Sequence, residues 1–186
     1  YSEAPVNKII RKGSFDAGHR VMFQRFKCSH MHGHRYEYQL EFSYKEMQDL
    51  GYAIDFSEIK RIGCAWIDSQ MDHSFLANPL DAKVIALAQE LGSNIFTMHL
   101  TDAKGSCNPT VENIAKEIYF ATHTLLNSEN LKLERVVLHE TANCIGICEG
   151  LSPAEFEVFR SHKGYVQQLT EFRAQAGNIE YDSRKL

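Results

Sequence analysis

The chain has no block of lysine or arginine, and its 20 basic residues against 24 acidic ones leave a net charge of −4. No basic face of the kind that grips nucleic acid or an anionic membrane surface is therefore expected. Long apolar runs are also missing, so no segment is expected to span a membrane, and no secretory-signal pattern opens the sequence. Cysteine is too scarce for a disulfide frame: Cys28, Cys64, Cys107, Cys144 and Cys148 are an odd number in 186 residues. They read as reduced thiols, which points to a cytoplasmic protein. Cys144-x-x-x-Cys148 has the look of half a zinc site, but no second pair completes it, and structural thiols are the simpler reading. Internal repeats and low-complexity segments are absent. What remains is an ordinary globular composition, 44% hydrophobic and 24% charged, read as one domain over residues 1–186 with a core of its own.

Histidine is concentrated in one place. In Cys28-Ser29-His30-Met31-His32-Gly33-His34, the spacing of two puts His32 and His34 on the same face of a strand. The segment Tyr36 to Phe42 alternates apolar and polar residues, which supports a strand there. Gly33 removes bulk where the backbone must pass close to whatever the pair holds. An isolated His-x-His is more often solvated or hydrogen-bonded than metal-bound. Here a third imidazole, His19, ends the preceding strand and closes on the pair across a hairpin. Three neutral imidazoles suit zinc and leave a fourth position open, the arrangement of catalytic sites. Cys28 lies close enough to reach a metal-bound group without being a ligand.

Along the chain, Val6 to His19 reads as a strand with a possible bulge at Gly13, followed by a connection and a second strand from about His34 to Tyr44. Asp55 and Glu58 have capping-box spacing and open a helix to about Gln70, with Ile59, Ile62, Trp66 and Ile67 on its buried face. Asp72-His73 follows in a loop, where the plain reading is a solvated pair or a helix cap. A helix from Asp81 to Leu91 precedes an irregular stretch from Gly92 to Asn108. Thr110 caps another helix whose buried face carries Ile114, Ile118, Ala121 and Leu125. Glu112, in its first turn, suits the helix dipole. Leu133 to Thr141 is a strand rich in β-branched residues; Glu140 at its end is either solvated or aimed at a ligand. A short strand is possible at Cys144 to Cys148, then helices from Pro153 to about His162 and Tyr165 to Gln175, with a frayed end. The order fits an α+β fold: a four-stranded antiparallel sheet with helices on one face. Its open edges favour oligomerisation.

Six segments in order resemble the 6-pyruvoyl-tetrahydropterin synthase family. They are Phe15-Asp16-Ala17-Gly18-His19, Cys-x-x-x-His-Gly-His from Cys28, Ile54 to Lys60, Met71 to Leu76, Asn108 to Asn113, and Leu138-His139-Glu140-Thr141. The likeness covers about residues 8–76 and 108–150, leaving an insertion at about 77–107 and an extension after about 150. Three residues between the cysteine and His-Gly-His resemble the 6-carboxy-tetrahydropterin branch, which serves queuosine and other 7-deazapurines; the pyruvoyl-forming branch usually has a longer spacing.

The resemblance implies a tunnelling fold (T-fold) whose subunits join their sheets into a barrel, typically a hexamer built as a dimer of trimers. It implies 7,8-dihydroneopterin triphosphate as substrate, with 6-carboxy-5,6,7,8-tetrahydropterin, acetaldehyde and triphosphate as products. It also implies roles: Zn2+ on His19, His32 and His34; Cys28 as proton acceptor; His73, oriented by Asp72, as second proton-transfer group; Glu140 as pterin anchor; Thr110 and Glu112 lining the pterin pocket. Family sites lie between subunits. Arg35 and Val111 depart from the usual asparagine and serine or threonine, without removing an assigned group. The alternatives are the pyruvoyl-forming synthase and a non-catalytic zinc- or pterin-binding T-fold protein. A GTP cyclohydrolase is disfavoured because its zinc-binding cysteine motifs are absent.

Overall fold

The computed structural model describes residues 4–180; the frayed end expected of the chain lies, from residue 181 on, outside the described residues. Two 13-residue strands, β1 (Asn7–His19) and β2 (His32–Tyr44), begin the fold. They pair antiparallel in unbroken register from Asn7↔Tyr44 to His19↔His32. No bulge therefore interrupts β1 at Gly13. The glycine has a steric cause instead: a Cβ there would overlap the ring of Tyr38, the residue opposite. Side chains alternate along both strands, with Phe15, Ala17 and His19, and Tyr36, Tyr38, Leu40 and Phe42, facing the core.

Asp55 caps α1 (Phe56–Ile59) by accepting from the Ser57 amide. Glu58 does not complete a capping box; it pairs with Arg61. One π-helical turn (Lys60–Cys64) then leads into α2 (Ala65–Met71), so a single helical path buries Ile59, Ile62, Trp66 and Ile67. The stretch from 74 to 108 is more regular than its sequence suggests. It holds β3 (Ser74–Ala77), α3 (Ala82–Leu91) and β4 (Ile95–Thr97). Next come α4 (Val111–Leu126), capped by Thr110, then β5 (Leu131–Thr141) and β6 (Cys144–Cys148). The chain closes with α5 (Pro153–Ser161), opened by a Ser152–Glu155 capping box, and α6 (Lys163–Ala176).

Among the described residues the sheet has six strands in the order β4-β3-β1-β2-β5-β6, not the expected four. β3 pairs parallel with the last residues of β1, from Ala17↔Ser74 to His19↔Leu76, and β4 pairs parallel with β3. With four and three residues, neither is long enough to display a period in sequence. The helices lie on one face of the sheet, α4 against β5 and β6, α2 against β1, β3 and β4. On the other face Ile145 and Ile147 of β6 and Ile10 of β1 are exposed.

The residues after 150 are core, not appendage. Phe159 of α5 is fully buried and stacks on Phe120 of α4 at 4.5 Å between ring centroids. Tyr165 of α6 stacks on His99 at 3.6 Å. His99 is held in turn by Glu117, whose buried carboxylate accepts from the His99 ring and from the amides of His99 and Leu100. The single tryptophan, Trp66, sits in the same cluster, edge-on to Phe96 and tilted against Tyr165. The inserted segment and the C-terminal helices thus share one buried seam.

Candidate metal centre and proton-transfer dyad

The β1–β2 register places His19 directly opposite His32, and His34 lies two residues further on the same face. One ligand nitrogen from each of the three imidazoles lies within 4.8 Å of the others. The tautomers follow from the acceptors behind the rings. His19 Nδ1–H donates to the Pro109 carbonyl at 2.7 Å, and His32 Nδ1–H donates to the His30 carbonyl at 2.7 Å. A carbonyl only accepts, so in the neutral rings both Nε2 atoms carry lone pairs. Those two atoms face each other at 3.1 Å. Bare lone pairs at that distance repel unless a cation lies between them. Burial pushes His19 down to about 4, so it stays neutral and ligand-competent through the physiological range. His34 is also lowered, chiefly by burial. The donor set fits a divalent metal of the zinc type.

Gly33 answers to a neighbour other than the one its sequence suggests. It lies opposite Gly18, and a Cβ on it would come 3.1 Å from the Ala17 carbonyl oxygen. The crowding is strand on strand, beside the histidines and not within them.

Glu140 follows buried Leu138 by two and shares its face of β5. Its Oε1 stands 3.6 Å from His19 Nε2 and 3.9 Å from His34 Nε2. The ladder to β6 skips it, passing from His139↔Ile145 to Thr141↔Cys144, a bulge that releases its backbone from regular pairing. Behind the triad, Tyr36 is fully buried with its hydroxyl unpartnered among the described residues.

The dyad lies where α2 gives way to β3. Asp72 Oδ2 accepts from His73 Nδ1 at 2.7 Å, and Oδ1 accepts from the Asp16 amide at 2.9 Å. Both oxygens are engaged, which fixes the carboxylate. His73 adopts φ +56°, the left-handed region that few non-glycine residues occupy. Its ring projects to solvent, 77% exposed. The Asp16 amide bond is the main cause that holds Asp72 below the usual carboxylate range, and Asp72 in turn raises His73. Asp16 is itself clamped by Arg35 through two bonds of 3.0 and 2.9 Å. His34 and His73 line the same open cleft, of about 580 Å³, with Arg35, Ser93 and Asn94.

Cys28 occupies a 3-10 turn, half-buried, in the connection between β1 and β2. Thr110 spends its hydroxyl on the Asn113 amide, at the base of α4 and next to the carbonyl that holds His19. Glu112 is exposed on the first turn of α4, with no hydrogen bond or ion pair among the described residues.

Sequence reading missed the supports of the Cys28 connection. The Arg20 guanidinium grips buried Asp81 through two bonds of 2.6 and 2.8 Å. The Asn108 side chain meets both the amide and the carbonyl of Met22, and Asn78 ties Asn108 to Ser106. Val21 N–H donates to the Cys28 carbonyl, closing the loop on itself. The one available signal was the turn-rich Asn108-Pro109 pair; nothing in sequence links Arg20 to a residue 61 positions away.

A six-stranded sheet with its helices on one face and three imidazoles at the joined ends of its central hairpin defines a T-fold protein with a metal-capable centre. The chain belongs to the family described as 6-pyruvoyl tetrahydropterin synthase, whose profile matches residues 8–150. Among curated relatives, the 6-carboxy-5,6,7,8-tetrahydropterin synthase of Rickettsia conorii is 34% identical over 139 residues, covering 74% of this chain and 96% of the relative. The Haemophilus influenzae protein of the same name is 32% identical over 140 residues, covering 72% and 92%. Solved structures share the fold at lower identity. The 6-pyruvoyl tetrahydropterin synthase of Caenorhabditis elegans superposes with a TM-score of 0.56 at 20% identity, over 81% of this chain and all of that one. The Plasmodium vivax enzyme gives 0.57 at 16%, over 78% and 98%.

Proposed function

We propose that this protein is a zinc-dependent 6-carboxy-5,6,7,8-tetrahydropterin synthase. It would convert 7,8-dihydroneopterin triphosphate to the carboxy-pterin, acetaldehyde and triphosphate, as a step toward queuosine-type 7-deazapurines. The carrying observation is the 32–34% identity, over nearly the full length of the relatives, to proteins of that name. The three-residue spacing from Cys28 to His32-Gly33-His34 supports the same branch.

In this reading His19, His32 and His34 hold the zinc, and the ion, when bound, supplies Lewis-acid polarisation of the substrate's side-chain hydroxyls. Cys28, as thiolate, takes a proton from the first side-chain carbon; a nearby cation favours the thiolate form. His73 serves as the second proton-transfer group, its ring fixed by the Asp72 carboxylate that the Asp16 amide holds in place. Glu140 is proposed as pterin anchor, accepting paired N–H bonds from the 2-amino-pyrimidinone edge, with Thr110 and Glu112 lining the pocket. A homo-oligomer, a hexamer as dimer of trimers, would complete the site; the uncovered sheet face and the exposed Ile145 and Ile147 of the edge strand β6 support association of copies.

The test is product analysis by mass spectrometry of zinc-loaded protein with 7,8-dihydroneopterin triphosphate, beside a Cys28→Ala control. Carboxy-pterin and acetaldehyde, lost in the control, are expected. A pyruvoyl product would move the chain to the other branch of its family, and zinc binding without turnover would favour a binding protein.

A further inference from the structure

Away from the histidines, β1 and the helical path from α1 to α2 enclose a cleft of about 550 Å³, the size of a small-molecule pocket. Gly13 lies in its wall six residues before His19, so the cleft stands about 20 Å along the strand from the triad. β3 joins β1 only from Ala17 on, which leaves this stretch of the strand edge uncovered among the described residues. The walls are cationic. Arg11, Lys12 and Lys60 line the cleft with no ion pair among the described residues, whereas Arg61 beside them is paired with Glu58. The acidic residue of the wall is Asp68, so three unpaired cations stand against one carboxylate. The Nε of Arg11 is shielded from water yet has no hydrogen-bond partner among the described residues. A guanidinium nitrogen left bare in this way is costly, and an acceptor oxygen brought to it removes the cost. The helical wall is irregular at the same place. Lys60, Arg61 and Cys64 all belong to the π-helical turn, a distortion that recurs at functional sites. Burial, and after it a hydrogen bond to the Cys64 side chain, raise Tyr38 above its ordinary value, so the floor of Gly13, Tyr38 and Ala65 carries no charge.

We propose that this cleft is a second ligand site, for a small organic phosphate whose dianion is met by Arg11, Lys12 and Lys60 while its organic part rests on the uncharged floor. A phosphate monoester brings about two negative charges and three acceptor oxygens near neutral pH. Three free cations less one carboxylate leave an excess of two, which matches it. The phosphate group alone fills only a small part of the cleft, and the remaining space lies over Gly13, Tyr38 and Ala65. The site needs neither the metal centre nor the His73 dyad.

The test is calorimetric titration of the zinc-loaded full chain at low salt with adenosine 5′-monophosphate, adenosine and inorganic phosphate. Saturable binding of the monophosphate is expected, about tenfold or more tighter than that of adenosine or inorganic phosphate, and weaker as salt rises. Arg11→Gln and Lys60→Gln are each expected to weaken it about tenfold, with melting temperature and metal content unchanged, while His34→Ala leaves it intact. The bound monophosphate is also expected to slow alkylation of Cys64 several-fold, read by peptide mass mapping, without changing that of Cys144. Absence of saturable binding overturns the proposal. Binding that both charge variants retain, or that His34→Ala abolishes, puts the ligand elsewhere and overturns it equally. Adenosine as tight as its monophosphate overturns the anion site, and inorganic phosphate as tight as the monophosphate overturns the role of the organic part.

Discussion

His73 shows how two neighbours in sequence become a fixed pair only through a third residue. Asp72 offers one oxygen to the ring and the other to the Asp16 amide, so the carboxylate is held still while the imidazole reaches solvent. Because Asp72 favours the charged ring, the folded-state pKa of His73 lies above its ordinary 6.5. The linkage sign follows. The stabilisation from this pair is complete below the unfolded value and fades as pH rises through the folded midpoint. An NMR titration of the ring is expected to place the His73 midpoint above 6.5, and Asp72→Asn to return it toward that value. An unchanged midpoint in the variant would mean that the ring is not governed by Asp72. His19 behaves oppositely, since burial keeps it neutral down to about 4. Burial thus lowers one imidazole, His19, while a fixed carboxylate raises another, His73.

At the scale of elements, the connection from β1 to β2 is held by residues that enter the chain 61 and 86 positions later. Arg20–Asp81 and the Asn108–Met22 bonds fasten residues 20–22, and Val21 fastens Cys28. Asp81→Asn removes a buried carboxylate from a two-bond grip, at an expected loss of about 2–3 kcal/mol in thermal or denaturant unfolding. The same variant is expected to alkylate several-fold faster at Cys28, with metal content unchanged. An unaltered alkylation rate would show that the clamp does not reach the thiol. None of this was legible in sequence, because an ion pair between distant single residues leaves no pattern. The long hairpin was legible, since the alternation from Tyr36 to Phe42 marks its second strand and two histidine-bearing ends close on each other, although the bulge expected at Gly13 is absent. β3 and β4 were not: their pairing partners, and not their own residues, make them strands. The three histidines were legible by their spacing, whereas the dyad needed the surrounding segments, because Asp-His alone is commonplace. Glu140's place beside the imidazoles depends on a bulge that no residue type announces.

For the whole molecule, the helices after residue 150 decide how much of the protein is core. Phe159 and Leu169 are fully buried, and Tyr165 is nearly so. Phe159→Ala is expected to cost about 3–5 kcal/mol by calorimetry or denaturant unfolding. A chain ending at residue 150 would uncover Phe120 and Trp66 together; an increase in binding of an apolar dye is the expected readout. Tail removal that leaves dye binding and melting temperature unchanged would contradict the seam of Phe120–Phe159 and His99–Tyr165 contacts.

Trp66 gives that seam an optical voice. It is the chain's one tryptophan, shielded from water where α2, β4 and α6 meet. Intrinsic emission excited at the indole band therefore reports a single address. Its colour follows the docking of the last helix, whose Tyr165 packs against the indole, and it stays blue while the histidine centre is emptied or filled. Undocking of the tail turns it red, so one cuvette distinguishes loss of metal from loss of the seam.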